Sequence, residues 1–196
     1  MPYIDFHTHH VPSATDVIAV VDGRDIWGIH PWHANGDFIV PDLSDKLAIG
    51  ECGLDALRGP SMETQLQVFR QQITLSEASC KPLVIHCVKA IDQLLHLHRE
   101  LCPKMPWMLH GFRGKPQQLR SLLISGFYIS FGFCHNEESL CLCPLDRLML
   151  ETDDSRRSIV ELYDKVANMC GISVSSLCAT MAENYLTFFQ KPPLQT

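Results

Sequence analysis

The residues of this chain best suited to chemistry are histidines and carboxylates standing at the ends of short apolar runs. His7 and His9 close the segment YIDFHTHH, Glu51 follows LAIG, His86 ends PLVIH, His110 ends WMLH, and Asp153 stands just past LMLET. Imidazole nitrogens and carboxylate oxygens are ordinary ligands of divalent ions with open coordination positions, and such ions activate water for hydrolysis. Side chains at i and i+2 of a strand face the same way, so His7 and His9 can grip one ion while Thr8 points away. Taken singly, each has a blander reading: HxH suits a surface pair, His86 a hydrogen-bonded core histidine, Glu51 a lone loop carboxylate. Five strand ends sharing the habit point instead to one metal-binding pocket.

The elements that must position these groups alternate. Strand-like runs occur at Tyr3 to His7, Val17 to Val21, Ile26 to His30, Leu47 to Glu51, Pro82 to His86, Trp107 to His110, Phe127 to Phe131 and Leu148 to Glu151. Helical spacing is found over Glu63 to Ser79, Ala90 to Leu101, Pro116 to Ile124, Ile159 to Met169 and Ser175 to Phe189. Strands alternating with helices predict an α/β fold, a TIM-type (β/α) barrel, in which the C-terminal ends of the strands converge on one face. The first part of the pattern is thin. Nine residues separate His7 from Val17 and four separate Val21 from Ile26, whereas a helical crossover needs about 10 to 12. The barrel is therefore expected to be shortened and distorted around its second strand, with the first helices reduced or missing. That strand should be hairpin-like, and antiparallel pairing would suit it. One domain spans 1–190, and the tail 191–196, KPPLQT, is expected to fray.

Composition removes several classes. The chain has 196 residues, 46% of them hydrophobic and 19% charged, the balance of a folded domain. Neither a membrane span nor an apolar leader is read from the sequence, so a cytoplasmic protein is expected. Nine cysteines are too few and too odd in number for a disulfide scaffold. Cys134, Cys141 and Cys143 lack the second pair of a zinc finger. Sixteen basic against twenty-two acidic residues give a formal charge of −6, so a nucleic acid would be engaged by a local basic site rather than a broad positive field.

Glu51 lies in IGECGLD, where two glycines let the chain turn beyond a strand and a carboxylate offers two oxygens to bridge two ions. Asp55 suits a structural or supporting role. Asp153 suits a terminal ligand and general base, and Asp154 competes for that role. His96 and His98, two apart on a helix, are read as solvent-exposed. His10 and His135 are loop residues near the same mouth.

These residues, in this order, resemble the TatD family of metal-dependent hydrolases, a branch of the amidohydrolase-like barrels. The matching segments are DFHTHH, GIHPWH, IGECGLD, QLQVFRQQITLSEASCKPLVIHCVKA, LHGFRG, FYISFG, LETDDS and ENYLTFF, running from Asp5 to Phe189. The resemblance implies two divalent ions, one held by His7, His9, Glu51 and Asp153 and the other by Glu51, His86 and His110, with water as nucleophile. It favours Asp153 over Asp154 as base, with Asp153 and Glu51 as the catalytic pair. Family members are often Mg²⁺-dependent deoxyribonucleases, and some act on RNA. With four histidines in the set, Zn²⁺ or Mn²⁺ is chemically at least as comfortable as Mg²⁺. His30 matches a family histidine that touches substrate. Val88 stands where the family usually has arginine, leaving Lys89 beside it as a phosphate-binding cation. Arg113 replaces a small hydroxyl residue and adds a phosphate contact or narrows the pocket. Arg156 and Arg157 follow Asp153 on the last loop, a position equally suited to solvated surface, and Trp32 and His33 suit the mouth or ordinary packing. The family is usually longer, and much of the difference lies between HTHH and GIHPWH, which implies that one wall of the substrate cleft is absent.

The leading expectation is a two-metal phosphodiesterase or deoxyribonuclease, acting as a monomer on DNA or another phosphodiester. A hydrolase of a small amide, ester or phosphate is the alternative, since the same groups polarise a carbonyl equally well. A non-catalytic metal-binding protein is the third.

Overall fold

The computed structural model describes residues 1–192. Its strands are β1 (Tyr3–Thr8), β2 (Val17–Val21), β3 (Ile26–Trp27), β4 (Ala48–Asp55), β5 (Leu83–Val88), β6 (Trp107–Leu109), β7 (Tyr128–Phe131) and β8 (Leu148–Leu150). Its helices are α1 (Met62–Ser79), α2 (Ile91–Leu101), α3 (Pro116–Ile124), α4 (Glu137–Leu142), α5 (Ile159–Cys170) and α6 (Val174–Phe189), with single 3₁₀ turns at Pro31–His33 and Leu145–Arg147. The five expected helices are α1, α2, α3, α5 and α6. The sequence reading missed α4, which is too short at 6 residues to show a period. As expected, no α-helix stands before β4 among the described residues.

Strands β3 to β8 form one parallel sheet in chain order, and β1 with β2 form a second. The two meet at isolated parallel bridges, Thr8 with Asp153 and Asp22 with Ile26. The result is a TIM-type barrel whose ladder is interrupted at two seams. Tall apolar side chains fill the layer between strands and helices; Phe6 of β1, for example, packs on Tyr185 and Phe189 of α6 at 6.1 and 6.3 Å between ring centroids.

Four expectations are corrected. The second strand is parallel, with Tyr3 opposite Val17, Ile4 opposite Ile18 and Asp5 opposite Ala19. The loop between them needs no helix to make this return, because its residues in extended form reach about 3.3 Å each, enough to run back past a strand of similar length. Strand β3 stops at Trp27 rather than His30 because the next segment bonds to a side chain instead of a strand: Ile29 N–H donates to Gln72 Oε1 at 2.6 Å and Gln72 Nε2 donates to Ile29 O at 3.1 Å. Strand β4 does not turn after Glu51 but runs on to Asp55, with its register shifting between Ile49 and Cys52. Gly53 permits close approach there, since a Cβ would run into His86 O. His98 is also not free in solvent. It lies one turn beyond Leu94 on the buried stripe of α2, half-buried against Trp107 and Phe127 at 4.8 and 4.9 Å. Residues 193–196 of the expected frayed tail lie outside the described residues.

At the seam beside β8, side chains replace strand pairing. The Tyr163 hydroxyl of α5 accepts from Ile4 N–H at 3.0 Å and donates to Ile4 O at 2.9 Å. One residue on, Asp5 accepts from Thr152 N–H at 3.0 Å and from Thr152 Oγ1 at 2.6 Å. Both ties hold the strand that carries His7. Replacing Tyr163 with Phe leaves two buried main-chain groups of Ile4 unpaired, which should cost about 1–3 kcal/mol. Urea unfolding of Tyr163→Phe should show a lowered midpoint at unchanged slope; a midpoint equal to wild type would show that the hydroxyl does not hold the seam.

Candidate metal centre

Glu51 is the middle of the site. It is buried at 6% exposure, and its two oxygens face different rings. Oε1 lies 2.7 Å from His110 Nε2, 2.8 Å from His86 Nδ1 and 3.1 Å from His30 Nε2. Oε2 lies 3.4 Å from His7 Nε2 and 3.7 Å from His9 Nε2. Asp153 Oδ1 is 3.5 Å from His9 Nε2 and 3.9 Å from His7 Nε2. Asp153 holds a left-handed backbone (φ 54°), and its neighbour Asp154 is exposed, with its carbonyl 3.3 Å from His10 Nε2. Asp153 is thus the member of the pair that faces the cluster.

The order of strands explains the meeting. His7 and His9 come from the end of β1 and beyond, Glu51 from the irregular part of β4, His86 from β5, His110 from just past β6, and Asp153 from beyond β8. The loop bearing His30 is set by Gln72 and by Gly28, where a Cβ would fall 2.8 Å from Gly50 Cα. Gln65 of α1 fixes the end of β4, accepting from Asp55 N–H at 2.7 Å and donating to the carbonyls of Asp55, Arg58 and Pro60.

Behind three of the rings stand further carboxylates. Asp22 Oδ2 is 3.6 Å from His9 Nδ1, Asp55 Oδ2 is 3.2 Å from His86 Nε2, and Glu151 Oε1 is 3.3 Å from His110 Nδ1. Carboxylates on the outer nitrogens of imidazoles fix which nitrogen faces inward. The supporting role expected of Asp55 is consistent with this. Glu151 and Asp22 were missed by sequence reasoning; period-two alternation from Met149 would have turned Glu151 toward the interior. His30 differs. Its Nδ1 accepts from Trp32 N–H at 3.2 Å, so in the neutral ring the proton sits on Nε2 and faces the cluster as a donor. Trp32 is fixed from both sides, donating from Nε1 to Asp55 at 2.6 Å with Arg58 over its ring at 3.7 Å.

The charges reinforce one another. Burial alone would raise the Glu51 pKa, but His110 foremost, with His30 and His7, holds it well below the usual carboxylate range. His9 is pushed up to about 9, chiefly by Asp153. Burial opposes protonation of His110, yet Glu51 and Glu151 raise it well above an ordinary histidine. Both ring nitrogens of His7 are buried with no hydrogen-bond partner among the described residues. An imidazole nitrogen kept dry and unpaired within reach of carboxylates suits an ion ligand. Four groupings have ligand atoms close enough to hold a metal: His7, His9 and Asp153; His7, Glu51 and His110; His30, Glu51 and His86; His110, Glu151 and Asp153. No cysteine belongs to such a grouping among the described residues.

A cleft of about 810 Å³ opens from His86, His110 and Asp153 and carries Lys89, Arg113 and Lys115. Lys115 was not expected. Arg156 and Arg157 lie elsewhere, lining with His10 a separate cavity of about 350 Å³. Arg157 is engaged there, paired with Glu161 at 2.8 Å and set over Phe133 at 4.0 Å. His33 is exposed, its ring 6.2 Å from that of His30, and His135 Nδ1 contacts Gly132 O at 2.7 Å.

A parallel α/β barrel with histidines and carboxylates gathered at its strand ends defines a metal-dependent hydrolase of the barrel class. The profile of TatD related DNases matches residues 9–190, and the chain belongs to that family. It is 30% identical over 197 residues to the 3′-5′ ssDNA/RNA exonuclease TatD of Erwinia amylovora, covering 83% of this chain and 76% of that one. With the protein of the same description from Erwinia tasmaniensis it shares 33% over 144 residues, 64% of this chain and 56% of that one. The crystal structure of YJJV, a TatD homologue from Escherichia coli K12, superposes with a TM-score of 0.74 at 19% identity, over 92% of this chain and 79% of that one.

The groupings generate a direct expectation. Added Mn²⁺ or Zn²⁺ should raise the thermal stability of chelator-treated protein, by about 2.7 kcal/mol at one hundred times the Kd. Glu51→Gln should lose most of that gain in a thermal melt. An equal gain in both proteins would remove Glu51 from the ligand set.

Proposed function

We propose that this protein is a divalent-metal-dependent phosphodiesterase that trims single-stranded nucleic acid from an end, as the names of its relatives describe for them. The observation that carries the reading is the division of imidazoles between the two oxygens of Glu51, at the head of a cleft lined by three cations. His7, His9, Glu51 and Asp153 would hold one ion, and Glu51, His86 and His110 a second. The unpartnered nitrogens of His7 and the mixed donor set fit Zn²⁺ or Mn²⁺ as well as Mg²⁺. When bound, such ions lower the pKa of water and stabilise charge on the attacking and leaving oxygens.

The chain's own groups do the rest. Burial would raise the Asp153 pKa, but His9, with His110 and His7, lowers it, so the carboxylate is ionised and placed to take the proton of the attacking water. His30, holding its proton on Nε2, donates to an oxygen of the phosphoryl group. Lys89 and Arg113, with Lys115 beside them, receive the phosphates of the adjoining nucleotides. Because the whole chain carries −6, these local contacts rather than a long-range field must draw the substrate in. Every group in this scheme comes from one copy of the chain.

The test is an end-labelled single-stranded DNA oligonucleotide incubated with metal-stripped protein, to which Mg²⁺, Mn²⁺ or Zn²⁺ is added in turn. Stepwise shortening is expected, reduced at least about 10²-fold in Asp153→Asn. An oligonucleotide left intact under all three ions, with hydrolysis of a small ester retained, would overturn the nuclease reading in favour of a small-molecule hydrolase. Lys89→Ala and Arg113→Ala should each raise KM for the oligonucleotide and flatten its salt dependence by about one phosphate contact. Equal loss on a neutral ester would assign them to packing instead.

A further inference from the structure

We propose that Glu151 is a positioning residue for His110: its carboxylate holds Nδ1–H of that ring and thereby turns Nε2 toward the cluster. This rests on reading the cluster as a divalent-ion site. The His110 ring is stretched between two carboxylates, with Nε2 2.7 Å from Glu51 Oε1 and Nδ1 3.3 Å from Glu151 Oε1. A carboxylate on the outer side of an imidazole holds Nδ1 as the donor there, which leaves Nε2 as the nitrogen that can turn to an ion. The same Glu151 Oε1 accepts from Gly111 N–H at 2.6 Å. One oxygen thus fixes both the ring and the first residue of the loop that leads to Arg113.

Glu151 differs from the other two carboxylates that back site histidines. Asp22 is 30% exposed and stands 3.6 Å from His9. Asp55 has structural work besides His86, accepting from Trp32 Nε1 and from the main chain of Leu57 and Arg58. Glu151 is wholly buried, and its Oε2 has no partner among the described residues. A buried carboxylate with an unpaired oxygen is a poor way to fill a barrel interior, where Leu or Met would pack without desolvating a charge. Its geometry is explained by the ring it holds, not by stability.

The experiment has two readouts, neither of them turnover. Long-range ¹⁵N–¹H NMR of the metal-free protein, with the His110 signals assigned by His110→Gln, reads the Nδ1–H proton of the ring and its hydrogen bond directly. Chelator competition with Zn²⁺ reads ion affinity. Glu151→Gln keeps an acceptor for Gly111 and removes the charge, and Glu151→Met removes both. Wild type should show a hydrogen-bonded, downfield Nδ1–H on His110; the variants should weaken or lose that hydrogen bond and bind Zn²⁺ about 10- to 100-fold more weakly, Met more than Gln. An unchanged His110 Nδ1–H signal in the folded variants, or unchanged Zn²⁺ affinity accompanied only by a lower melting temperature, would overturn the proposal. Failure of wild type to bind Zn²⁺, Mn²⁺ or Mg²⁺ at all would overturn the metal-dependent function instead, and the metal-free NMR would still decide the Glu151–His110 pairing.

Discussion

A carboxylate taken out of water needs positive or proton-donating partners on both oxygens, and Glu51 finds them only where five imidazoles converge on it. Those rings belong to four different stretches of chain, so satisfying one side chain requires β1, β4, β5, β6 and the loop after β3 to be in register together. The supporting contacts serve this requirement. Gln72 substitutes for a strand in holding Ile29, one residue before His30, and Gln65 clamps the end of β4 that presents Asp55 to His86. A one-residue slip in any of these strands would turn its ligand away from the cluster, because side chains alternate along a strand.

The same concentration of charge accounts for how an acidic protein would engage the anionic polymer proposed as its substrate. Six negative charges in excess work against capture at a distance, whereas Lys89, Arg113 and Lys115 are gathered along one cleft that opens on the cluster. Screening at physiological salt extinguishes most of the diffuse field within about 8 Å, while contacts between a phosphate and a cation in the cleft survive. On the proposed reading, recognition on this surface is therefore short-ranged. Lys89 holds a left-handed backbone at φ 53°, the conformation Asp153 also holds. Strained main chain at two loop positions around the cluster is the usual cost of aiming side chains rather than packing them.

Much of this was legible in the residues themselves. The repeated placing of His and Glu after apolar runs located the cluster, because a parallel barrel leaves little freedom in where strand ends point. The direction of β2 was not legible, since a loop without periodicity is compatible with either pairing. The continuation of β4 through IGECGLD was hidden by its glycines, which in sequence read as a turn but here permit His86 O to come close. Glu151 was hidden because it precedes the more conspicuous Asp153 and Asp154, and its role depends on His110 arriving from 41 residues away. Sequence spacing reports faces of one element well and contacts between elements poorly.

The short N-terminal part shows what such a barrel can lose. With no helix before β4, the pair β1 and β2 has no covering layer of its own from that part of the chain, and it joins the six-stranded sheet through isolated bridges rather than a ladder. Yet β1 carries His7 and leads to His9, which cannot drift if Glu51 Oε2 and Asp153 are to be served. The last third of the chain supplies the missing constraint. Tyr163 takes both main-chain groups of Ile4, Thr152 takes both oxygens of Asp5, and Asp153 N–H donates to His7 O at 3.0 Å while its own carbonyl accepts from His9 N–H at 3.2 Å. Side-chain hydroxyls and a carboxylate have replaced a strand ladder at the place where the ladder would have fixed the ligands. Asp153 thereby sets the position of His7 and His9 through its main chain and faces their rings through its carboxylate, which ties the seam and the chemistry to the same residue.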